Sequence, residues 1–172
     1  MPHVVSVNKS DNKGEVKTPV PSISLAPDLG VEGDAHSGPW HRQVSLLAEE
    51  SIERALEAAR SRAILSCTET GFEPSPTSAS SPISEPALSP GAFAENITTR
   101  GLDLAGLPVG TRLAVGEARL EVTQIGKECH GRCAIYYQIG DCVMPREGIF
   151  ARVTLGGVVR PGDSVNVIEG DD

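Results

Sequence analysis

The sequence predicts a mainly β fold with a few helices, and two observations indicate it. Aromatic residues make up only 3% of the 172 residues, whereas hydrophobic residues make up 39%, so Val, Leu, Ile and Ala must build the core. After residue 90 the chain consists of short apolar runs separated by glycine turns, which is typical of a β-barrel or β-sandwich. The length predicts a single domain over residues 1–172.

The first predicted elements are a strand, a loop and a helix. Residues 1–7, MPHVVSV, have the alternating valines of a strand, and the polar run NKSDNKGE behind them indicates a turn. The glycine-rich segment GVEGDAHSGPWHRQ, which begins at Gly30, is interpreted as a loop leading into a strand at residues 44–47. Apolar residues at helical spacing then predict a helix at about residues 48–64, with Glu49 and Glu50 favouring its amino-terminal dipole.

Residues 71–90, GFEPSPTSASSPISEPALSP, differ from the rest of the chain in composition. They are mostly Ser, Pro and Ala, with few apolar side chains to bury. Because such a segment cannot offset its ordering entropy by burial, we predict a disordered or polyproline II insert.

The remaining chain predicts strands in AFAENITT, TRLAVGEARLEVTQIG and IFARVTLGGVVRPGDSVNVI. Glycines at two places are suited to the positive φ angles of tight hairpins, so hairpins are predicted at residues 115–118 and 155–158. The Pro-Gly-Asp turn at residues 161–163 leads into a last predicted strand at 164–168.

Net charge and hydropathy exclude several classes of partner. The formal net charge of −8 and the pI near 5.0 disfavour nucleic acid and anionic lipid as partners, because both are usually bound by a basic face. The sequence shows no signal peptide and no apolar stretch of membrane-spanning length, which predicts a cytoplasmic protein without membrane contact. The four cysteines are therefore expected to be thiols rather than disulfides.

Four blocks of sequence carry a resemblance to a known family. The blocks are GVEGDAHSGPWHRQVSLLAEESI, PGAFAENITTRGLDLAGLPVGTRL, QIGKECHGRCAIYYQIGDCVMPREGIFARV and GGVVRPGD. In this order they resemble the MOSC family, the domain at the carboxyl terminus of molybdenum cofactor sulfurases, and especially its small stand-alone bacterial members. The resemblance covers residues 3–168 except the insert, and it implies a β-barrel with a few helices.

The resemblance also implies a reactive cysteine. In the context GRC, Cys133 matches the family cysteine that is proposed to carry a persulfide sulfur or to ligate the molybdenum of a pterin cofactor. The sulfurases generate their sulfur with a separate pyridoxal phosphate domain, so no pyridoxal phosphate is expected in this chain. A thiolate is both the nucleophile that accepts sulfur and a soft metal ligand. Lys127, His130 and Arg132 lie within six positions and would favour that thiolate.

Further residues are candidates for holding the anionic molybdenum cofactor (molybdopterin). On a chain of net charge −8 the cofactor needs a local basic pocket, for which Arg42 and Arg146 are candidates, with Arg100 and Arg152 as further ones. In the segment GVEGDAH, we expect backbone N–H groups that face an anion, beside Gly33, Asp34 and His36. Asn96 would hydrogen-bond the pterin, or alternatively satisfy a turn or a buried carbonyl.

Other uses of the cysteine region stay open at this stage. Zinc binding would use Cys129, His130, Cys133 and Cys142, with His36 or His41, although the spacing is not that of paired CxxC motifs. A redox pair of Cys129 and Cys133 also lacks the CxxC spacing. Inert burial is the ordinary role for Cys67 and Cys142.

Three functions share the predicted site. In the leading one, Cys133 accepts sulfur from a cysteine desulfurase and passes it on in metal-sulfur or molybdenum cofactor maturation, with the cofactor biosynthesis proteins as partners. The alternatives are a molybdenum-dependent reductase of N-hydroxylated compounds, fed by an electron-donor protein, and a chaperone that binds the cofactor without chemistry. The sequence contains no flavin or haem motif, so a reductase would need outside electrons.

Overall fold

The structure of the protein is a computed structural model. It describes residues 1–69, 89–129, 136, 140 and 142–168. In the first of these ranges, side chains are described only up to residue 62. Eleven strands and two helices occur in this part of the chain. The strands are β1 (His3–Lys9), β2 (Thr18–Val20), β3 (Ile23–Ala26), β4 (Gly30–Val31), β5 (Val44–Ala48), β6 (Ile97–Arg100), β7 (Arg112–Val115), β8 (Ala118–Ile125), β9 (Ile149–Leu155), β10 (Gly157–Val159) and β11 (Val165–Ile168), and the helices are α1 (Glu49–Glu69) and α2 (Met144–Glu147).

The strands form two sheets, and the prediction of a mainly β fold is confirmed. The larger sheet has the strand order β11-β7-β8-β9-β5-β6-β1-β2, and the smaller has the order β10-β3-β4. Every pairing is antiparallel except the one between β5 and β6. A parallel pair needs a crossover connection, and α1 supplies it. The segment from β5 through α1 to β6 is therefore a βαβ unit.

The larger sheet curls until its ends approach each other, but it is not a closed barrel within the described residues. An isolated bridge joins His3 to Ser164, just before β11. The N–H of Val4 donates to the carbonyl of Asp163 at 2.8 Å, and the N–H of Val165 donates to that of Pro2 at 3.0 Å. The expectation of a barrel is thus corrected to a curled sheet held at one point, because β11 pairs as a strand with β7 alone.

Two hydrophobic clusters lie on opposite faces of β5. Val44 and Leu46 belong to the main core inside the curled sheet. Leu47 points the other way, into a second cluster beneath the helices. That cluster consists of Leu47, Ile52, Ala55, Phe93, Val143, Met144 and Phe150, all less than 9% exposed. It fixes α1 and α2 against the outer face of the sheet.

Several predicted elements are confirmed with shifted ends. The strand predicted at residues 44–47 is β5, and the helix predicted at 48–64 is α1, which continues to Glu69. The first hairpin is present, since Val115 pairs with Ala118. The predicted turn at 161–163 also precedes β11, with the N–H of Asp163 bonded to the carbonyl of Arg160.

The hairpin predicted at residues 155–158 is wrong. Strand β10 pairs with β3, so the chain leaves the larger sheet at Gly156 and enters the smaller one. The glycines serve close packing: a Cβ would lie 2.7 Å from the Leu25 carbonyl oxygen at Gly156, and 2.7 Å from the carbonyl carbon of Glu117 at Gly157. Neither glycine adopts a positive φ angle, which a tight hairpin would have used.

Other elements were not predicted, are shorter than predicted or lie outside the described residues. Strands β2, β3 and β4 were not predicted, because they are only two to four residues long. In addition, one proline lies within β2 and a second follows it directly. The run AFAENITT is a strand only from Ile97, since Ala94 has a φ angle of 63°. The predicted insert at 71–90 lies outside the described residues except for its last two. In the described part, no helix is long and apolar enough to cross a membrane.

Candidate functional site

The connection between β8 and β9, residues 126–148, contains the cysteine segment, and its two ends are joined. The N–H of Gly126 donates to the carbonyl of Gly148 at 2.7 Å, and the N–H of Lys127 donates to that of Pro145 at 3.3 Å. Gly126 has a φ angle of 69°, and a Cβ there would lie 2.2 Å from the Pro145 oxygen. Only glycine fits this position without displacing α2.

The described part of this connection presents two basic residues side by side. Lys127 is exposed and follows Gly126, while Arg146 is exposed on α2 next to the Pro145 carbonyl that Lys127 contacts. Cys129 is an exposed free thiol, and the half-buried Cys142 packs against the cluster under the helices. The predicted site residues His130, Arg132 and Cys133 lie outside the described residues.

Arg42 is the predicted site residue with the most distinctive surroundings. Its guanidinium carbon lies 4.8 Å from the ring centroid of Trp40 and 5.7 Å from that of Phe150. Two aromatic rings hold the cation by its electrostatic attraction to their faces. The Nε atom is buried and has no hydrogen-bond partner among the residues described. A buried N–H without an acceptor costs about 1–3 kcal/mol, so this donor is an exception to the usual pairing of buried polar groups.

The loop carrying Arg42 is attached to the beginning of the cysteine connection. The ring Nε2 of His41 lies 3.0 Å from Oε1 of Gln124, whose Nε2 donates to the carbonyl of Gly126 at 2.8 Å. The hydroxyl of Thr123 donates to the carbonyl of His41. These contacts bring Arg42 and the base of the connection to the same region of the sheet.

A buried ion pair supports the same loop from beneath. The Nζ atom of Lys17 lies 2.6 Å and 2.8 Å from the two carboxylate oxygens of Asp34, 3.2 Å from the Ser10 hydroxyl and 3.4 Å from Nδ1 of His36. Asp34 also accepts the backbone N–H groups of Ser10 and His36. The carbonyl of His36 accepts the indole N–H of Trp40 at 2.9 Å. The ion pair thus holds His36 in place, and His36 accepts the hydrogen bond that positions Trp40. Trp40 in turn packs on the guanidinium of Arg42.

Burial acts on the pKa values of this pair. Burial lowers the pKa of Lys17, although its hydrogen bond and attraction to Asp34 oppose the change. Burial would raise the pKa of Asp34, but the hydrogen bonds from His36, Lys17 and Ser10 outweigh it and hold that pKa well below its usual range. Asp34 is therefore an ionised structural carboxylate.

The expectation that N–H groups of the GVEGDAH segment face an anion is not met for most of the segment. The N–H groups of Asp34, Ala35 and His36 all donate to acceptors within the protein. The N–H of Glu32 likewise donates to the carbonyl of Ser24. The loop packs over β1 and β3, and these buried donors need protein partners, which a sequence pattern of glycines does not reveal. At Gly33 a Cβ would lie 2.9 Å from Nζ of Lys9.

Asn96 lies in a buried network rather than at an open surface. Its Oδ1 accepts the N–H and the hydroxyl of Ser45, and its Nδ2 donates to the carbonyl of Asn8 at 3.2 Å. The neighbouring Glu95 is fully buried and accepts hydrogen bonds from Gly91, Phe93 and Thr98. Burial raises the pKa of Glu95 in spite of these bonds. The geometry corresponds to the structural alternative for Asn96.

The two further arginine candidates are paired elsewhere. Arg100 lies 2.6 Å from a carboxylate oxygen of Glu49 on α1, and Arg152 lies 3.0 Å from Glu121. Lys17, Trp40 and Phe150 position Arg42 and its loop, and none of the three was predicted as a site residue. Trp40, two residues before Arg42, was the only signal available, because nothing in the local sequence distinguishes Lys17.

The part of the chain that the structure describes holds no cluster of three or more His, Cys, Asp or Glu side chains suited to a metal ion. Two of the candidate zinc ligands, His130 and Cys133, lie outside that part. The described residues therefore do not themselves form a zinc site.

A family model for the MOSC domain matches residues 33–166. The chain belongs to the MOSC-domain family. This family is associated with molybdenum cofactor sulfurase-like function. The MOSC fold also appears in comparisons with solved structures. The YuaD protein of Bacillus subtilis is similar with a TM-score of 0.68 and 16% identity, over 97% of this chain and 96% of that one.

Two further MOSC-like structures are similar. YiiM of Geobacillus stearothermophilus has a TM-score of 0.57 at 18% identity, over 98% of this chain and 76% of its own. YiiM of Escherichia coli has a TM-score of 0.56 at 19% identity, over 100% of this chain and 72% of its own. No curated protein sequence matches the chain significantly. Identities this low establish the fold, and the chemistry has to be argued from the site.

Proposed function

We propose that this MOSC-domain chain binds a molybdenum-pterin cofactor beside the β8–β9 connection and carries sulfur on Cys133. The observation that supports the proposal most directly concerns Arg42. Its buried Nε has no acceptor among the described residues, while two aromatic rings hold the guanidinium in place. An unpaired buried N–H reduces the stability of the fold. A hydrogen bond from that N–H to an anionic ligand would offset the loss.

The described residues fit an anionic pterin with a phosphate group. Arg42 would donate to the ligand, and the adjacent Lys127 and Arg146 would add positive charge at the base of the connection. Local charge matters here because the whole chain carries a net charge of −8 and otherwise repels anions. The bound cofactor would supply a molybdenum centre that takes sulfur and oxygen ligands.

The residues of the chain have separate tasks in this account. Trp40 and Phe150 orient Arg42, and the buried pair of Lys17 and Asp34 holds the loop from which Trp40 projects. The joined ends of the connection at Gly126 and Gly148 fix where the cysteine segment leaves the sheet. Preorganised groups of this kind bind a ligand without a further ordering cost.

Sulfur loading requires a single exchange reaction. The thiolate of Cys133 attacks the terminal sulfur of a persulfide on a cysteine desulfurase. The sulfur-sulfur bond of the donor breaks, a new sulfur-sulfur bond forms on Cys133, and the desulfurase thiolate leaves. No net oxidation occurs, because the terminal sulfur changes its attachment without any loss of electrons.

The test is to incubate the protein anaerobically with a cysteine desulfurase and cysteine, and to measure intact mass before and after reduction. Wild type is expected to gain one reducible sulfur atom, and Cys133→Ser is expected to gain none. Cys129→Ser and Cys142→Ser are matched controls that retain the gain. Sulfur addition to Cys133→Ser at the wild-type level would disprove the carrier role, and so would its absence from wild type.

A further inference from the structure

A groove on the outer face of the larger sheet lies apart from the proposed cofactor site. It crosses β7, β8, β9 and β11 and has a volume of about 420 Å³. Three arginines and one glutamate line it, together with two apolar side chains: Arg112, Arg119, Glu121, Arg152, Leu155 and Ile168. Among the described lining residues, guanidinium groups therefore outnumber carboxylates, although the chain as a whole has a net charge of −8.

Strand register determines the arrangement of these charges. Glu121 pairs across β8 with Arg112 on one side and Arg152 on the other, so the three side chains form one row. Arg152 forms an ion pair with Glu121, in which Nη2 lies 3.0 Å from both carboxylate oxygens. Arg119 lies in the next row, and its guanidinium makes no hydrogen bond or ion pair to any residue that the structure describes. A negatively charged ligand can therefore pair with Arg119 without first breaking an ion pair.

The spacing suits several carboxylates better than one small anion. Arg112 and Arg152 lie on either side of β8, so their strands are about 10 Å apart, and Arg119 is one pleat, about 7 Å, from their row. One phosphate ion cannot bridge such distances. In an extended peptide, side chains two positions apart project to the same side at about 7 Å, which matches the rows.

The apolar side chains complete the match to a peptide. Leu155 is 50% exposed and pairs directly opposite Arg119 on the neighbouring strand. Ile168 lies at the other side of the groove, opposite Arg112. An exposed leucine beside an unpaired arginine presents an apolar contact and a charge together, which is typical of protein docking sites.

We propose that this groove docks an extended acidic segment of a partner protein, with acidic residues at alternate positions. Arg119 is the second residue of β8, and the cysteine connection follows the last residue of that strand, Ile125. Six residues of strand separate the two, about 20 Å. A partner held at Arg119 would therefore be tethered about 20 Å along β8 from the start of the connection at Gly126. This inference does not depend on cofactor binding or on sulfur transfer.

The probe is a short fluorescein-labelled peptide in which Glu and Thr alternate around a central Leu, followed by fluorescence anisotropy at low and at physiological ionic strength. Wild type is expected to bind this peptide, more weakly as salt increases, and not to bind the version with Gln in place of Glu. Arg119→Gln should weaken binding about threefold or more, the effect of losing one exposed ion pair.

Two further variants sharpen the test. Glu121→Gln should strengthen binding, because it removes the one carboxylate among the described lining residues and releases Arg152. Arg160→Gln, which alters an exposed arginine 3.8 Å from Glu117 and outside the groove, should leave binding unchanged. Equal affinity of wild type and Arg119→Gln, or weaker binding by Glu121→Gln, would overturn the proposal. Displacement of the peptide by an equal concentration of inorganic phosphate would also overturn it and indicate a small-anion site.

Discussion

The Nζ atom of Lys17 lies 2.6 Å from Oδ1 of Asp34, and both side chains are almost completely buried, at 1% and 0% exposure. This buried ion pair joins the segment before β2 to the loop that carries Trp40 and Arg42. Because the desolvation of two charges is costly, the pair is stable only with all its hydrogen bonds in place. The loop geometry of the candidate site therefore depends on an interaction outside the site.

Lys17→Met is expected to destabilise the protein by about 3–5 kcal/mol, because it leaves the carboxylate of Asp34 buried without its counter-charge. Urea unfolding measures the change. The double variant Lys17→Met/Asp34→Asn should recover part of the loss, since Asn removes the charge and can still accept a backbone N–H. Lys13→Met, at an exposed turn position, is the matched control and should be nearly neutral. A near-neutral Lys17→Met would contradict this view of the pair.

Acid should destabilise the protein through Asp34. Its pKa is held well below the usual range in the folded state, so its stabilising contribution is complete above the unfolded pKa of about 3.9 and is lost as the pH falls below that value. Unfolding free energies measured from neutral pH to about pH 3 should fall more steeply for wild type than for Asp34→Asn. Glu95 acts in the opposite direction, because burial raises its pKa. Parallel pH profiles of the two proteins would argue against the assignment to Asp34.

Gly91 is required for a close backbone contact as well as for its φ angle of 91°. A Cβ at this position would lie 2.1 Å from the carbonyl oxygen of Lys17. Gly162 has the same φ angle with nothing within 4 Å of a Cβ. Ala at position 162 should therefore cost about 1 kcal/mol from conformation alone, whereas Gly91→Ala should cost clearly more. Equal melting temperatures of the two variants would show that the contact relaxes without cost.

Asn96→Ala tests whether this residue is structural or holds the cofactor. Loss of its side chain leaves the N–H of Ser45 and the carbonyl of Asn8 without these hydrogen bonds, at an expected cost of about 2–3 kcal/mol. Asn166→Ala, on the exposed side of β11, should cost little. The folded fraction of Asn96→Ala should retain the cofactor content of wild type. Wild-type stability combined with loss of the cofactor would instead make Asn96 a ligand.

Local pattern predicted the parts of the fold that local physics determines. The helical spacing of apolar residues after Glu50 and the glycine turn between Val115 and Ala118 both lead to the observed elements. The sequence pattern gave a wrong prediction where tertiary contacts determine the path of the chain. Gly156 resembles a hairpin residue, but it lets the chain pass from one sheet to the other against Leu25.

The candidate site shows the same division. The need for local positive charge pointed to Arg42 and Lys127. In the described structure, the neighbour of Arg42, His41, is linked through Gln124 to Gly126, which precedes Lys127. The buried partner of Asp34 was missed, because Lys17 is an ordinary lysine in sequence and becomes unusual only by burial. For the same reason, the N–H groups around Gly33 looked available for an anion until their tertiary acceptors were known.

The measurement that tests the central claim most directly is the molybdenum and pterin content of protein purified anaerobically from a molybdopterin-producing host. Wild type is compared with Cys133→Ser, with Arg42→Met, and with Arg160→Met as the control for loss of an exposed arginine. We predict molybdenum and pterin in wild type and in Arg160→Met, and a clear loss of both from Cys133→Ser and Arg42→Met. Near-stoichiometric zinc without pterin in the wild-type protein would contradict the account.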